Sequence, residues 1–269
     1  VIRGRVLGLG IARAFVLFGL DAQPVRVEVT TTRGPSFFQM VGLAEAAVRE
    51  SRVRVASALA TLGVLLDEHA ITVNLAPGDL KKSGAGLDLA IAVALLAALG
   101  HADTQRCRDI QLCGEISLEG LLLPMRGMLP LLEGAKRHGV QEAVVPACNS
   151  AEAGLVRGMR VFVARDLRGV LAHINDQTLL PLAPETSPVA QPSASGGDLS
   201  EVRGQASARR AVEIAAAGNH NLLFIGPPGG GKTLLARRLP SIMPSLGYAE
   251  SIELTGIHSV AGLVDLQTG

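Results

Sequence analysis

Hydrophobic and polar positions along this chain follow two different periods. Val25, Val27 and Val29 alternate with Arg26, Glu28 and Thr30, the two-residue period of a strand with one buried face. After Gly42 the period lengthens, and Ala44, Val48, Ser51, Val55, Leu59 and Leu62 recur every three or four residues. Glu45/Arg49 and Glu50/Arg54 stand as i,i+4 pairs on the opposite face, so an amphipathic helix ending near Gly63 is predicted. Residues 71–77 (ITVNLAP) then read as a strand, 87–99 (LDLAIAVALLAAL) as a buried helix and 110–116 (IQLCGEI) as a strand. Residues 131–139 (LLEGAKRHG) read as a helix closed by Gly139, and 142–146 (EAVVP) as another short strand. The opening VIRGRVLGLGIARAFVLFGL is predicted to be a first strand and its turn; Arg3, Arg5 and Arg13 break it too often for a signal segment. Helices alternating with strands predict an α/β or α+β layer.

The pattern stops between Thr178 and Asp198, where TLLPLAPETSPVAQPSASGGD carries Pro181, Pro184, Pro188 and Pro192. Prolines at that spacing interrupt both helix and sheet hydrogen bonding, so residues 178–198 are predicted to link a domain of residues 1–177 to a segment of residues 199–269. The chain's 269 residues suit one large or two ordinary domains. With Lys+Arg 25 against Asp+Glu 24, bulk electrostatic binding of nucleic acid is excluded and any such contact must be local. Arg49, Arg52 and Arg54 form a small basic cluster, read as a solvated helix face. Cys107, Cys113 and Cys148 are odd in number without CxxC spacing, which argues for a reduced cytosolic chain with neither a disulfide framework nor a zinc knuckle. The longest apolar run, Leu87 to Gly100, contains Asp88 and is shorter than the ~20 residues that span a bilayer, so no membrane segment is expected.

The strongest chemical signal is GPPGGGKT: Gly226, Pro227, Pro228, Gly229, Gly230, Gly231, Lys232 and Thr233 fit GxxxxGK[ST] without a mismatch. Before it, NLLFI (221–225) reads as a short strand; after it, TLLARRL reads as a helix ending at Pro240. Strand, glycine loop and helix are the order a phosphate loop requires. Gly229, Gly230 and Gly231 let backbone N–H groups close on phosphate oxygens, and the helix, opening at Thr233 and Leu234, offers its positive end to the same anion. Lys232 would reach the β- and γ-phosphates of ATP, and the Thr233 hydroxyl would ligate Mg²⁺. No apolar run ending in paired acids follows in the remaining residues, so the Walker B acids and the arginine finger are expected beyond this chain and no catalytic residue is assigned within it. Arg237 and Arg238 read as surface charges, and His220 as a hydrogen-bonding group at a helix end.

With these motifs placed, DLSEVRGQASARRAVEIAAAGNHNLLFIGPPGGGKT resembles the entry sequence of the magnesium-chelatase type of AAA+ ATPase. That resemblance puts Val202, Gly204 and Gln205 near the adenine. Residues 114–149 (GEISLEGLLLPMRGMLPLLEGAKRHGVQEAVVPACN) are similar to the carboxyl half of the Lon-type protease domain, whose fold resembles ribosomal protein S5, through Gly114, Glu115, Gly120, Pro124, Gly127, Gly139 and Pro146. A Lon-like domain before a chelatase-like ATPase resembles the ComM/YifB family. The implied fold is an S5-like α+β domain followed by the start of a P-loop α/β domain. The family further implies ATP and Mg²⁺ as cofactors, a cytoplasmic homo-hexameric ring, and helicase or branch-migration work on single-stranded or branched DNA in recombination and natural transformation. The alternative is a chelatase motor for porphyrin metallation. A peptidase reading of the first domain is disfavoured: the Lon nucleophile position falls near Gly84 and its partner lysine on Leu129, leaving only Ser83 with Lys81 or Lys82 to stand in.

Overall fold

The computed structural model describes residues 6–82, 84, 86–187 and 197–264. They gather into two compact units, one holding residues up to Ser187 and those from Ile252 onward, the other the residues between, up to Ser251. In the first unit β1 (Val6–Phe18) and β2 (Asp21–Arg33) form a long hairpin, followed by β3 (Phe37–Val41), α1 (Ala46–Thr61) and β4 (His69–Ala76). Then come α2 (Asp88–Ala98), α3 (Thr104–Asp109), β5 (Gln111–Leu112), β6 (Glu115–Ile116), β7 (Leu122–Leu123) and α4 (Met128–Arg137). The series continues with β8 (Glu142–Pro146), α5 (Ser150–Ala153), β9 (Arg160–Ala164) and α6 (Leu167–Ile174). One seven-stranded sheet runs β3-β4-β2-β1-β5-β8-β9. Its β1–β2 and β2–β4 pairs are antiparallel and the other neighbours parallel, while β6 and β7 make a separate antiparallel ribbon. The unit is thus mixed α/β, as the alternating pattern predicts.

Residue size decides how closely the layers approach. The inward face of β1 is Gly8, Gly10, Ala12 and Ala14, small residues at the two-residue period. A Cβ on Gly8 would lie 1.9 Å from the Ala98 carbonyl oxygen, and one on Gly10 1.8 Å from that of Ala94. Helix α2 therefore lies directly on the strand backbone, and every residue of α2 is buried. Val25, Val27 and Val29 of β2 join this core, as do Val48, Val55 and Leu59 of α1. Alternation sends Phe15 to the opposite face, where it packs with Ala22, Met128 and Leu132 in a second core beneath α4.

Several elements differ from the sequence pattern, each for a local reason. The stretch 110–116 is two short strands rather than one, because Cys113 still donates its N–H to the Val144 carbonyl of β8 (3.1 Å) but Gly114 turns away toward α2. There the Gly114 carbonyl accepts from Leu89 N (3.0 Å), and Gly114 N donates to the Gly86 carbonyl (3.2 Å). The i,i+4 pairs on α1 give way to longer-range partners: Glu45 pairs with Lys81 and Arg54 with Asp88. Asp88, in the first turn of α2, is fully buried. It accepts from Arg54 Nε (2.6 Å) and Nη2 (3.1 Å), from the Ser51 hydroxyl and from Ile116 N (3.4 Å). A carboxylate removed from water requires such partners, which is why Ser51 and Arg54 turn inward. The basic cluster is correspondingly dispersed, since Arg49 Nε also donates to the Ala44 carbonyl.

The Pro-rich stretch begins against the sheet. Val163 N donates to the Pro181 carbonyl (2.9 Å), and Ala183 N to the Val161 carbonyl (2.8 Å), along the outer edge of β9. An edge tolerates proline because only one side of the strand must bond. Thr186 continues the contact through its N–H to Gly154 O (3.0 Å) and its hydroxyl to Ala151 O (2.9 Å). Residues 188–196 of the stretch lie outside the described residues.

The second unit contains α7 (Ala206–Gly218) and α8 (Lys232–Ile242); α9 (Tyr248–Ala261) starts in it and ends in the first. Leu199, Val202, Val212 and Leu235 form its small core, with Leu222 and Phe224 packed alongside. Residues 221–225 have the alternation of a strand but are not one. Leu222 and Phe224 are half-buried, whereas Leu223 (80%) and Ile225 (88%) stand in solvent. A strand needs a neighbour to take its N–H and C=O groups, and no described strand pairs with this segment. Helix α8 runs slightly beyond its predicted end, with Pro240 inside its last turn. Among the described residues, no helix is long and apolar enough to cross a membrane.

Candidate nucleotide site

The glycine loop sits between the extended residues 221–225 and the first turn of α8, and its backbone shows why glycine is used. Gly229 (φ 78°) and Gly231 (φ 76°) adopt the left-handed conformation, and Gly231 is the N-terminal cap of α8. Gly230 is confined differently: a Cβ there would lie 3.3 Å from the Pro227 carbonyl oxygen. Lys232 folds back over the loop, its ammonium donating to the Gly226 (2.8 Å) and Pro227 (2.6 Å) carbonyls. The positive charge is thereby held at the loop beside the N-terminal end of α8, where the helix dipole has the same sign. Thr233 and Leu234 follow in the first turn, both exposed, and Leu235 anchors the helix in the small core.

The lead-in residues divide. Gln205, left-handed at φ 54°, caps α7 and sends its side-chain amide to the Gly230 carbonyl at 2.7 Å. One member of the lead-in is therefore in contact with the glycine loop, a link that residue spacing alone does not reveal. Gly204 (φ 72°) makes the turn that allows it. Val202 is only 4% exposed and belongs to the core, where it fixes the lead-in on α7 and α8. Its carbonyl accepts from Arg209 Nη1 (3.3 Å). Arg238, expected at the surface, is 16% exposed at its side chain and pairs with Glu201 (2.8 Å), tying α8 to the lead-in; Arg237 is exposed as expected. His220 bonds at the end of α7 through its backbone N–H to the Ala215 carbonyl (3.0 Å).

The loop's features fit a nucleoside triphosphate with its magnesium: turned glycines, a helix start and a lysine, all on one short segment. No cluster of three or more His, Cys, Asp or Glu side chains that could hold a metal by itself occurs among the described residues.

In the first unit the positions compared with a Lon active site are differently used. Leu129 is a 1% exposed core residue of α4. Lys82 is buried and donates its ammonium to the Pro77 carbonyl, and desolvation pushes its pKa below the ordinary lysine value. Lys81 is spent on Glu45. Gly84 is left-handed at φ 79°, and Ser83 lies outside the described residues.

A family model described as subunit ChlI of Mg-chelatase matches residues 27–149, and one described as magnesium chelatase, subunit ChlI, matches residues 198–268. Uncharacterized protein Rv2897c of Mycobacterium tuberculosis is 42% identical over 262 residues, covering 97% of this chain and 52% of its own. Competence protein ComM of Haemophilus influenzae is 38% identical over 257 residues, covering 94% and 50%. Uncharacterized protein YifB of Escherichia coli is 38% identical over 261 residues, covering 97% and 51%. More distantly, Lon protease 1 of Sorangium cellulosum is 29% identical over 150 residues, covering 53% of this chain and 18% of its own. The chain thus spans about half the length of the curated relatives it matches. Matched in both of its units and similar along nearly its whole length, the chain belongs to the magnesium-chelatase-related family of ComM and YifB.

Proposed function

We propose that this chain supplies the Lon-like unit and the ATP-binding portion of a ring-forming AAA+ ATPase that couples ATP hydrolysis to DNA remodelling, as helicase or branch-migration motor in recombination and natural transformation. The observation that carries the reading is the glycine loop clasped by Lys232 at the start of α8, in a chain 38% identical to a competence protein. In this reading the loop from Gly226 to Thr233, with the amide of Leu234, cradles the phosphates. Lys232 neutralises the β- and γ-phosphates, and the Thr233 hydroxyl holds Mg²⁺. Gln205 braces the loop through Gly230, and Val202 and Gly204 shape the adenine side. Bound Mg·ATP supplies the phosphoanhydride whose cleavage drives the motor; the residues of this chain bind and orient it. The activating acids and an arginine from a neighbour in a cytoplasmic homo-hexamer complete the site.

The first unit serves in this account as a non-peptidase scaffold, supported by the apolar Leu129 and by Lys82 turned onto a carbonyl. A chelatase motor is the rival reading, since the family model that matches residues 27–149 is described as subunit ChlI of Mg-chelatase; 38% identity to a competence protein along 94% of the chain favours the DNA motor. ATP turnover by the protein at the full length of its relatives distinguishes them. Branched or single-stranded DNA should stimulate it, Lys232→Ala should abolish the stimulation, and a porphyrin substrate should have no effect. Turnover indifferent to DNA overturns the reading.

A further inference from the structure

Outside the glycine loop, the first unit buries a carboxylic acid in its core. Glu152, in α5, is 1% exposed. Its carboxylate accepts from Leu129 N in the first turn of α4 (3.1 Å), the position a capping acid takes at a helix start. A further partner comes from far along the chain: the Ser259 hydroxyl, itself 2% exposed, lies 2.9 and 3.0 Å from the two carboxylate oxygens. Gly127 N, at the cap of α4, donates in turn to the Ser259 hydroxyl (3.0 Å). The hydroxyl's single proton goes to Glu152 and its lone pair receives Gly127 N–H, so each group in this relay has a partner. Burial pushes the Glu152 carboxyl above the ordinary carboxylate range, against the pull of these hydrogen bonds.

The face that α9 presents is unusual. Gly256 and Ser259 are buried and Ile252 and Thr255 are half-buried, a helical stripe at i, i+3, i+4 and i+7. Leu254 (42%), Ile257 (45%) and, just past the helix, Leu263 (72%) point to solvent. Hydrophobic burial alone would have chosen the larger side chains. The helix is held by Ile252 against the second core, by close approach of Gly256 to Pro130, and by the polar relay at Ser259.

We propose that residues 252–264 are a docking segment of the first unit, registered by the Ser259–Glu152 hydrogen bond, and that Glu152 is its positioning residue. Only residues 243–251 lie between α8 and this segment.

A Cβ built on Gly256 lies 3.8 Å from Pro130 Cβ, within the range that a disulfide spans. Pro130→Cys with Gly256→Cys, in a background where the exposed Cys148 is serine, should close an intramolecular bond under mild oxidation of the native chain. Failure to cross-link, or cross-linking only between two copies, overturns the proposal. Hydrogen exchange of the otherwise unaltered chain gives a second reading. Glu152→Gln and Ser259→Ala should each accelerate exchange in 252–264 by roughly tenfold or more, as expected for losing a hydrogen bond to a charged group, while α2 stays protected. The double variant should do no more than either single one. Rapid exchange of 252–264 in the unaltered chain, or additive effects of the two changes, contradicts a shared clip.

Discussion

Asp88→Ala tests the electrostatic arrangement at the heart of the first unit. Asp88 is fully buried, and the Arg54 side chain that faces it is only 19% exposed. Removing the carboxylate leaves a guanidinium four-fifths withdrawn from water without its counter-charge, which costs about 3–5 kcal/mol when one partner of a buried pair is lost. The Ser51 hydroxyl also loses its acceptor and the first turn of α2 its negative charge; the partial exposure of Arg54 offsets these additions, so about 4 kcal/mol is expected in all. For a domain of this size that corresponds to a fall in melting temperature of roughly 8–16 °C. Circular dichroism during heating and urea titration measures it, and amide exchange in α2 assigns the loss to this site. Adding Arg54→Met to Asp88→Ala removes the stranded cation and should recover part of the loss. If Asp88→Ala melts within about 2 °C of the unaltered chain, or Arg54→Met restores nothing, the pair does not carry the weight assigned to it.

Three further outcomes follow from other sites. Gly10→Ala drives a Cβ into the Ala94 carbonyl and should cost about 1–3 kcal/mol by urea titration, whereas Gly78→Ala, with nothing within 4 Å, should be near neutral. His173 is buried against Phe162, and its pKa is lowered by desolvation and by Arg106 against the opposing pull of Asp176. A depressed histidine stabilises the fold above its ordinary value of 6.5 and loses that contribution as pH falls through its folded-state value, so melting points should drop on acidification and do so less in His173→Asn. Gln205→Ala removes the brace on Gly230 and should weaken ATP binding by about fivefold in calorimetric titration, the worth of one ordinary hydrogen bond; unchanged affinity would separate Gln205 from the loop's function.

Much of the fold is legible wherever a period repeats. Val25, Val27 and Val29 alone define β2, and the unbroken apolar run of α2 announces a helix buried on all sides. What escapes the pattern is contact between distant residues. The i,i+4 rule offers Glu50 to Arg54, but a fully buried Asp88 competes for the same cation with far more to gain. A run of apolar residues does not reveal that the chain turns from the sheet at Gly114, because the cause is a backbone bond to α2. The glycine loop stands out in the sequence because the proposed phosphate chemistry demands particular residues at fixed spacing. The reach of Gln205 to Gly230 depends on a left-handed turn that spacing does not encode, and the buried face of α9 centres on Gly256 and Ser259 rather than on its larger apolar residues.

The central claim is that Gly226 to Thr233 is a working phosphate site. Calorimetric titration of the chain with Mg·ATP, beside Lys232→Ala, tests it most directly. Saturable binding to the unaltered chain, weakened tenfold or more by removing the ammonium and its charge-assisted contacts, is the expected result. Equal binding by both, or none by the unaltered chain, contradicts it.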